Sequence, residues 1–263
     1  MTLDGYKSPD RRFSRGLSCL ILSLSVLMSP ALSADEIDPQ AQKTLQAMTD
    51  YLAGLSEFSA KADIGNEIVT LDGQKIQLNS SGMMTVKRPN QFYAARKSGS
   101  ADVEFFFDGK VVTMQANHLQ VYTQTKEPEN IDQAITAISK KLNLEMPGAD
   151  LIYSDAFDEM TVGLTNSRHL GMAYVNGVEC HHLAFRKAHF DWQLWVQTGA
   201  KPLPMKYVIT TKWISTAPQF SLQFRDWNTS PDINKKLFKF VASKKFKKLD
   251  KIVADEIGKL RVE

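Results

Sequence analysis

Phe58-Ser59-Ala60-Lys61-Ala62-Asp63-Ile64 decides the fold, because apolar and polar side chains alternate one by one along it. A period of two marks a strand with one buried and one wet face. The alternation returns after Asp72-Gly73, where Ile76, Leu78, Met84 and Val86 take turns with Gln77, Asn79 and Thr85. Asp-Gly is a hairpin signal, since the glycine accepts positive φ without steric cost. The same pattern continues through 91–96, 103–107, 111–115 and 119–125, with Asp108-Gly109 and Asn117-His118 as turns. Six short strands joined by tight turns predict an antiparallel meander.

Upstream, Asp38-Pro39 opens a helix, because proline at the first helical position lacks only a hydrogen that would be orphaned there. Ala41, Leu45, Met48, Leu52 and Leu55 then fall on one stripe, giving a docked amphipathic helix over 38–55. Downstream, Ile131, Ile135, Ile138 and Leu142 recur at helical spacing over 129–143. Pro147-Gly148 breaks that helix, and a second short one is expected over 150–158. Strands resume at 171–175, 178–186, 192–196, 205–213 and 220–227. Met205, Tyr207, Ile209 and Trp213 are expected on one face of the fourth, with Lys206 and Lys212 on the other. Leu249, Ile252, Val253, Ile257 and Leu260 suggest a closing amphipathic helix. The sum is an α+β protein with about 11 antiparallel strands. A sheet that large must curl to bury its apolar face, and helices are the natural cover for the concave side.

The beginning of the chain carries an export signal. Lys7, Arg11, Arg12 and Arg15 precede an apolar run from Leu17 to Met28. Pro30 and Ala31-Leu32-Ser33-Ala34 then lead into Asp35-Glu36. A basic segment, a short apolar core and a small-residue exit form a cleavable secretory signal over 1–34, with cleavage expected after Ala34. The run falls short of the ~20 apolar residues that cross a bilayer. The expected mature chain, 35–263, is then a soluble single domain outside the cytoplasm, in the periplasm. It keeps Cys180 alone, because Cys19 leaves with the signal, so no internal disulfide supports it.

Charge is uneven. Residues 235–263 hold ten Lys or Arg against four Asp or Glu, whereas the rest of the mature chain is net acidic. A basic C-terminal tail on an acidic body suits an anionic membrane surface or an envelope protein, or is simply a solvated lysine-rich face. It is not the footprint of a nucleic-acid binder.

Common catalytic and cofactor motifs are absent: there is no G-x-S-x-G, H-E-x-x-H, S-x-x-K, P-loop or G-x-G-x-x-G, and no cofactor is expected. The one polar constellation is Glu179-Cys180-His181-His182. On a strand, Cys180 and His182 share a face and offer either two metal ligands or a nucleophile–base pair. The plainer alternative is a buried cysteine beside a hydrogen-bonded histidine. Met84, Phe105, Phe107, Tyr207, Ile209, Phe220 and Phe224 lie on the apolar faces of their strands. They suit an adaptable apolar pocket or a filled core, and composition does not separate the two.

One segment carries a family resemblance. Gly171-Met172-Ala173-Tyr174-Val175-Asn176-Gly177-Val178-Glu179-Cys180-His181-His182 runs on through Leu183-Ala184-Phe185-Arg186 to Asp191-Trp192-Gln193-Leu194-Trp195-Val196. Pro202-Leu203-Pro204, Phe224-Arg225-Asp226-Trp227-Asn228 and Phe238-Lys239-Phe240 follow. This pattern resembles a family of predicted periplasmic proteins (domain-of-unknown-function family 2092), itself similar to lipoprotein carriers of the LolA/LolB type. A Pro-Pro-x-Gly turn would be expected after Phe240, and Val241-Ala242-Ser243-Lys244 stands there instead. The resemblance implies a strongly curved half-barrel closed by helices, with an apolar cavity for a lipid or acyl chain. It tilts the expectation toward a non-enzymatic carrier whose ligand sits between the sheet and the helices 38–55 and 129–143. The alternatives are an envelope interaction module without ligand, or a metal- or cysteine-dependent enzyme at Cys180 and His182.

Overall fold

The polypeptide builds two antiparallel meanders separated by a helical connection, as the computed structural model shows. It describes residues 36–126, 128–143, 146–250 and 252. The expected export signal and its cleavage point lie outside those residues, as does nearly all of the helix expected from Leu249 to Leu260. The chain divides into Met1–Ser33 and Ala34–Glu263, and the second unit holds every element described below. No helix among the described residues is long and apolar enough to cross a membrane.

Helix α1 (Pro39–Gly54) leads into strands β1 (Glu57–Val69), β2 (Lys75–Lys87), β3 (Gln91–Lys97), β4 (Asp102–Phe107), β5 (Val111–Ala116) and β6 (Val121–Lys126). Helix α2 (Ile131–Leu142), a 3₁₀ turn (Ala149–Ile152) and the short helix α3 (Ala156–Thr161) follow. Strands β7 (Asn166–Val175), β8 (Val178–Arg186), β9 (Phe190–Gln197), β10 (Pro204–Thr211) and β11 (Gln219–Asn228) complete the second meander, and β12 (Lys247–Lys248) adds a short edge. The spatial order is β12-β6-β5-β4-β3-β2-β1-β11-β10-β9-β8-β7. Pairing of β1 with β11 joins the meanders, for example Ala62 opposite Phe224 and Ile64 opposite Leu222. Among the described residues β12 and β7 are the two edges, with Ile37 bridged to Ser167 of β7, and the curved sheet stays an open half-barrel.

Two apolar cores form on the inner face. Ala41, Leu45 and Met48 of α1 pack with Leu183, Trp192 and Leu194 under one half. Ile131, Ile135 and Ile138 of α2 pack with Phe58, Phe107 and Val112 under the other. Asp38 caps α1 by accepting the Gln40 and Ala41 N–H groups at 2.8 and 3.4 Å through Oδ1, while Oδ2 accepts the His169 N–H at 2.7 Å. One carboxylate therefore starts the helix and ties it to β7.

Several expectations are corrected. The sheet has twelve strands, because Lys247–Lys248 pairs in parallel with β6, a contact too short to leave a periodic signal. β7 begins at Asn166 rather than 171, since its first residues are fixed by polar contacts such as the Asp38 N–H donating to Ser167 Oγ at 2.9 Å, not by alternating apolar side chains. Gly171, at φ +99°, marks the irregularity between the two halves of β7. The helix expected over 150–158 is a 3₁₀ turn followed by a separate α3. Trp213 lies past the end of β10 and is 73% exposed instead of facing inward. At the start of the basic C-terminal segment, Phe238 is buried and Phe240 packs on Tyr122 and Phe106.

Candidate functional site

Where the two cores meet, small residues on neighbouring strands leave a hollow. The register aligns Phe224, Ala62, Gly82 and Arg96 across β11, β1, β2 and β3 in one inward row. The next row aligns Ala60, Met84, Ala94 and Phe105 across β1 to β4. Alanine and glycine at the centre of each row withhold the volume that leucine or phenylalanine would fill, and the rows border a half-open cavity of about 180 Å³. Ile135 of α2 and the connection through Met146, Pro147, Gly148, Ala149 and Ile152 form its roof.

The roof is held down at two points. Gly148 has φ +89°, and a Cβ there would lie 2.3 Å from Leu222 Cδ1, so only glycine fits that close approach. Beside it, the Tyr207 hydroxyl donates to Asp150 Oδ2 at 2.8 Å. Burial pushes the Asp150 carboxyl up from its ordinary value, against the opposing pull of the Tyr207 hydrogen bond. Burial, followed by the Asp150 charge, pushes the Tyr207 hydroxyl well above its own. Asp150 Oδ1 is buried with no partner among the described residues.

Met84, Phe105 and Phe224 border the cavity. Phe107 is fully buried in the α2 core, with its ring centroid 5.7 Å from that of Phe92. Tyr207 serves the roof latch. Ile209 and Phe220 face each other on β10 and β11, half-buried against the α1 core and away from the cavity. Helix 38–55 covers the concave face as expected, but over the first core: its apolar stripe packs with Leu183, Trp192 and Leu194, and no residue of α1 borders the cavity.

Sequence reading missed Arg96, although the period of two along Phe92, Ala94 and Arg96 already places it on the inward face. Its Nε donates to Ser80 Oγ at 3.0 Å. Burial moves its guanidinium below the ordinary value. An arginine remains charged at neutral pH after any such shift. The missed glycines and alanines carry no chemical signal of their own, and their meaning appears only once the register aligns them.

Cys180 and His182 each engage other partners. Cys180 is fully buried on the outer face, beside Val175 and Met205, and burial pushes its thiol up, away from the thiolate a nucleophile needs. His182 stacks on Trp195 with centroids 4.2 Å apart, and its Nε2 lies 2.9 Å from Gln193 Oε1. Among the described residues no three His, Cys, Asp or Glu side chains group to hold a metal.

No curated protein sequence matches the chain. Among solved structures it is similar to an uncharacterized conserved protein from Thermus thermophilus, with 10% identity, 81% of this chain and 99% of that one covered, and a TM-score of 0.47. LprF from Mycobacterium bovis is similar at 12% identity, 75% and 97% coverage and a TM-score of 0.47. A LolA superfamily protein from Nitrosomonas europaea follows at 10% identity, 76% and 97% coverage and a TM-score of 0.38. The inward alternation, the two meanders and the docked helices span the same stretch as a family match over residues 41–250, and the chain belongs to the family of predicted periplasmic proteins, domain-of-unknown-function family 2092.

Proposed function

We propose that this periplasmic protein is a non-enzymatic binding or carrier protein that lodges one alkyl chain beneath the 146–152 roof. The observation that carries the reading is the half-open cavity of about 180 Å³, with Ala60, Ala62, Gly82 and Ala94 as its floor. Apolar cavities near 150 Å³ stay dry and accept a guest as large as benzene. The space suits a single short alkyl segment and is too small for a multi-acyl lipid. Each methylene moved there from water contributes about 0.8 kcal/mol, so affinity rises with chain length but discriminates little between hydrocarbons. Among the described residues that border the cavity, Lys61 and Arg96 are the titratable ones.

Native mass spectrometry of protein purified from the envelope tests the reading. Wild type is expected to carry single-chain adducts. Ala94→Phe, which fills the floor, is expected to be bare at an unchanged fold. A bare wild type contradicts the reading.

A second reading concerns partners. Lys244, Lys245, Lys247 and Lys248 are exposed beside the short edge strand β12, which fixes them in place. Such a cluster suits an anionic membrane surface. Replacing all four by Gln is expected to abolish sedimentation with phosphatidylglycerol vesicles at low salt while leaving adducts intact. Undiminished sedimentation contradicts that role.

A further inference from the structure

A guanidinium beside an apolar hollow is costly to place without an anion, and no described residue supplies one to Arg96. Its Nε is satisfied by Ser80 Oγ at 3.0 Å. Nη1 and Nη2 make no hydrogen bond or ion pair with a described residue, yet they are not sealed away as Nε and Nη2 of Arg88 are. Lys61 alternates to the opposite face from Ala60 and Ala62 and is paired with Asp226 at 3.0 Å. The inward row places Arg96 between Gly82 and Val103, at the end of the small-residue floor. A cation with two open donors thus stands at one end of an alkyl-sized space. Guanidinium donors in a fixed fork match the paired oxygens of a carboxylate or a phosphate, and the low local dielectric strengthens the bond.

We infer that the cavity takes a single-chain anionic amphiphile, with its alkyl tail over Ala62, Gly82 and Ala94 and its carboxylate or phosphate head held by Arg96. This rests on the alkyl-binding reading above and adds the head group to it. Ser80 then serves as the positioning residue that holds the guanidinium plane.

Calorimetric titration of the full-length mature protein with decanoate, decyl phosphate and decanol, each below its micelle concentration at pH 7.5, separates tail from head. Decanoate or decyl phosphate is expected to bind at least about tenfold more tightly than decanol, the scale of one charge-assisted hydrogen-bonded pair. The tighter of the two anions identifies the head. Excess inorganic phosphate is expected not to displace either, because it lacks the tail, and displacement would overturn the assignment of Arg96 to an amphiphile. Arg96→Gln is expected to bring the anions down to the affinity of decanol and to leave decanol within about twofold. Arg96→Lys, which keeps a charge, is expected to retain part of the preference and covers the case in which Arg96→Gln does not fold. Equal affinity of wild type for anion and alcohol overturns the head-group assignment and leaves the alkyl cavity standing. Binding of none of the three overturns both.

Discussion

Asp150 and Tyr207 show how two side chains can hold a roof over a cavity. The carboxyl is buried and keeps one oxygen unpartnered among the described residues, so ionising it costs more in the folded protein than in the unfolded chain. Its folded-state pKa is raised, and its contribution to stability is therefore fully present below the ordinary carboxylate value and lost as pH rises through the raised one. Thermal melts from pH 3 to 8 are expected to show wild type declining across that window relative to Asp150→Asn, which keeps an acceptor for Tyr207 and has no charge to bury. Coincident slopes would contradict this account. His169 and His181 make a second polar pair, outside the cavity. Gly171 N–H donates to His169 Nδ1 at 3.2 Å, so the ring proton sits on Nε2 and points at His181 Nδ1, 3.0 Å away. Burial, and then His169, lowers the His181 pKa.

At the scale of elements, the strands were legible and the identity of the lid was not. Alternation along 58–64 and 76–86 is dictated by a sheet with one buried face, so β1 and β2 could be read directly from it. The helix stripes of α1 and α2 were equally plain, since Ala41, Leu45, Met48 and Leu52 are buried as the spacing requires. The stripe does not say which part of the sheet it meets. α1 packs on β8 and β9, and the roof is a connection whose meaning depends on Gly148 touching Leu222, a residue far away in sequence. Three of the seven apolar candidates, Met84, Phe105 and Phe224, border the cavity because register brought their strands together, while Phe107 fills a core and Tyr207 holds a latch. Leu45→Ala separates the two assignments of the lid. It is expected to cost about 2–5 kcal/mol of stability, as a buried leucine does, while leaving alkyl affinity unchanged in titrations of the remaining folded protein. A parallel loss of affinity would return α1 to the site.

For the whole molecule, two meanders meeting at β1 and β11 give a sheet with a core under each half of its inner face and unfilled space between them. That arrangement is what a packed globule avoids and a binding protein requires, since each void forgoes dispersion contacts that a guest restores. What enters that space therefore decides the function. Crystals grown with 10-bromodecanoate would answer it through the anomalous signal of bromine. The account predicts a bromine peak over the floor formed by Ala60, Ala62, Gly82 and Ala94, beneath Ile135 and Ile152. Bromine found only elsewhere on the protein, or an empty hollow at saturating ligand, would contradict it.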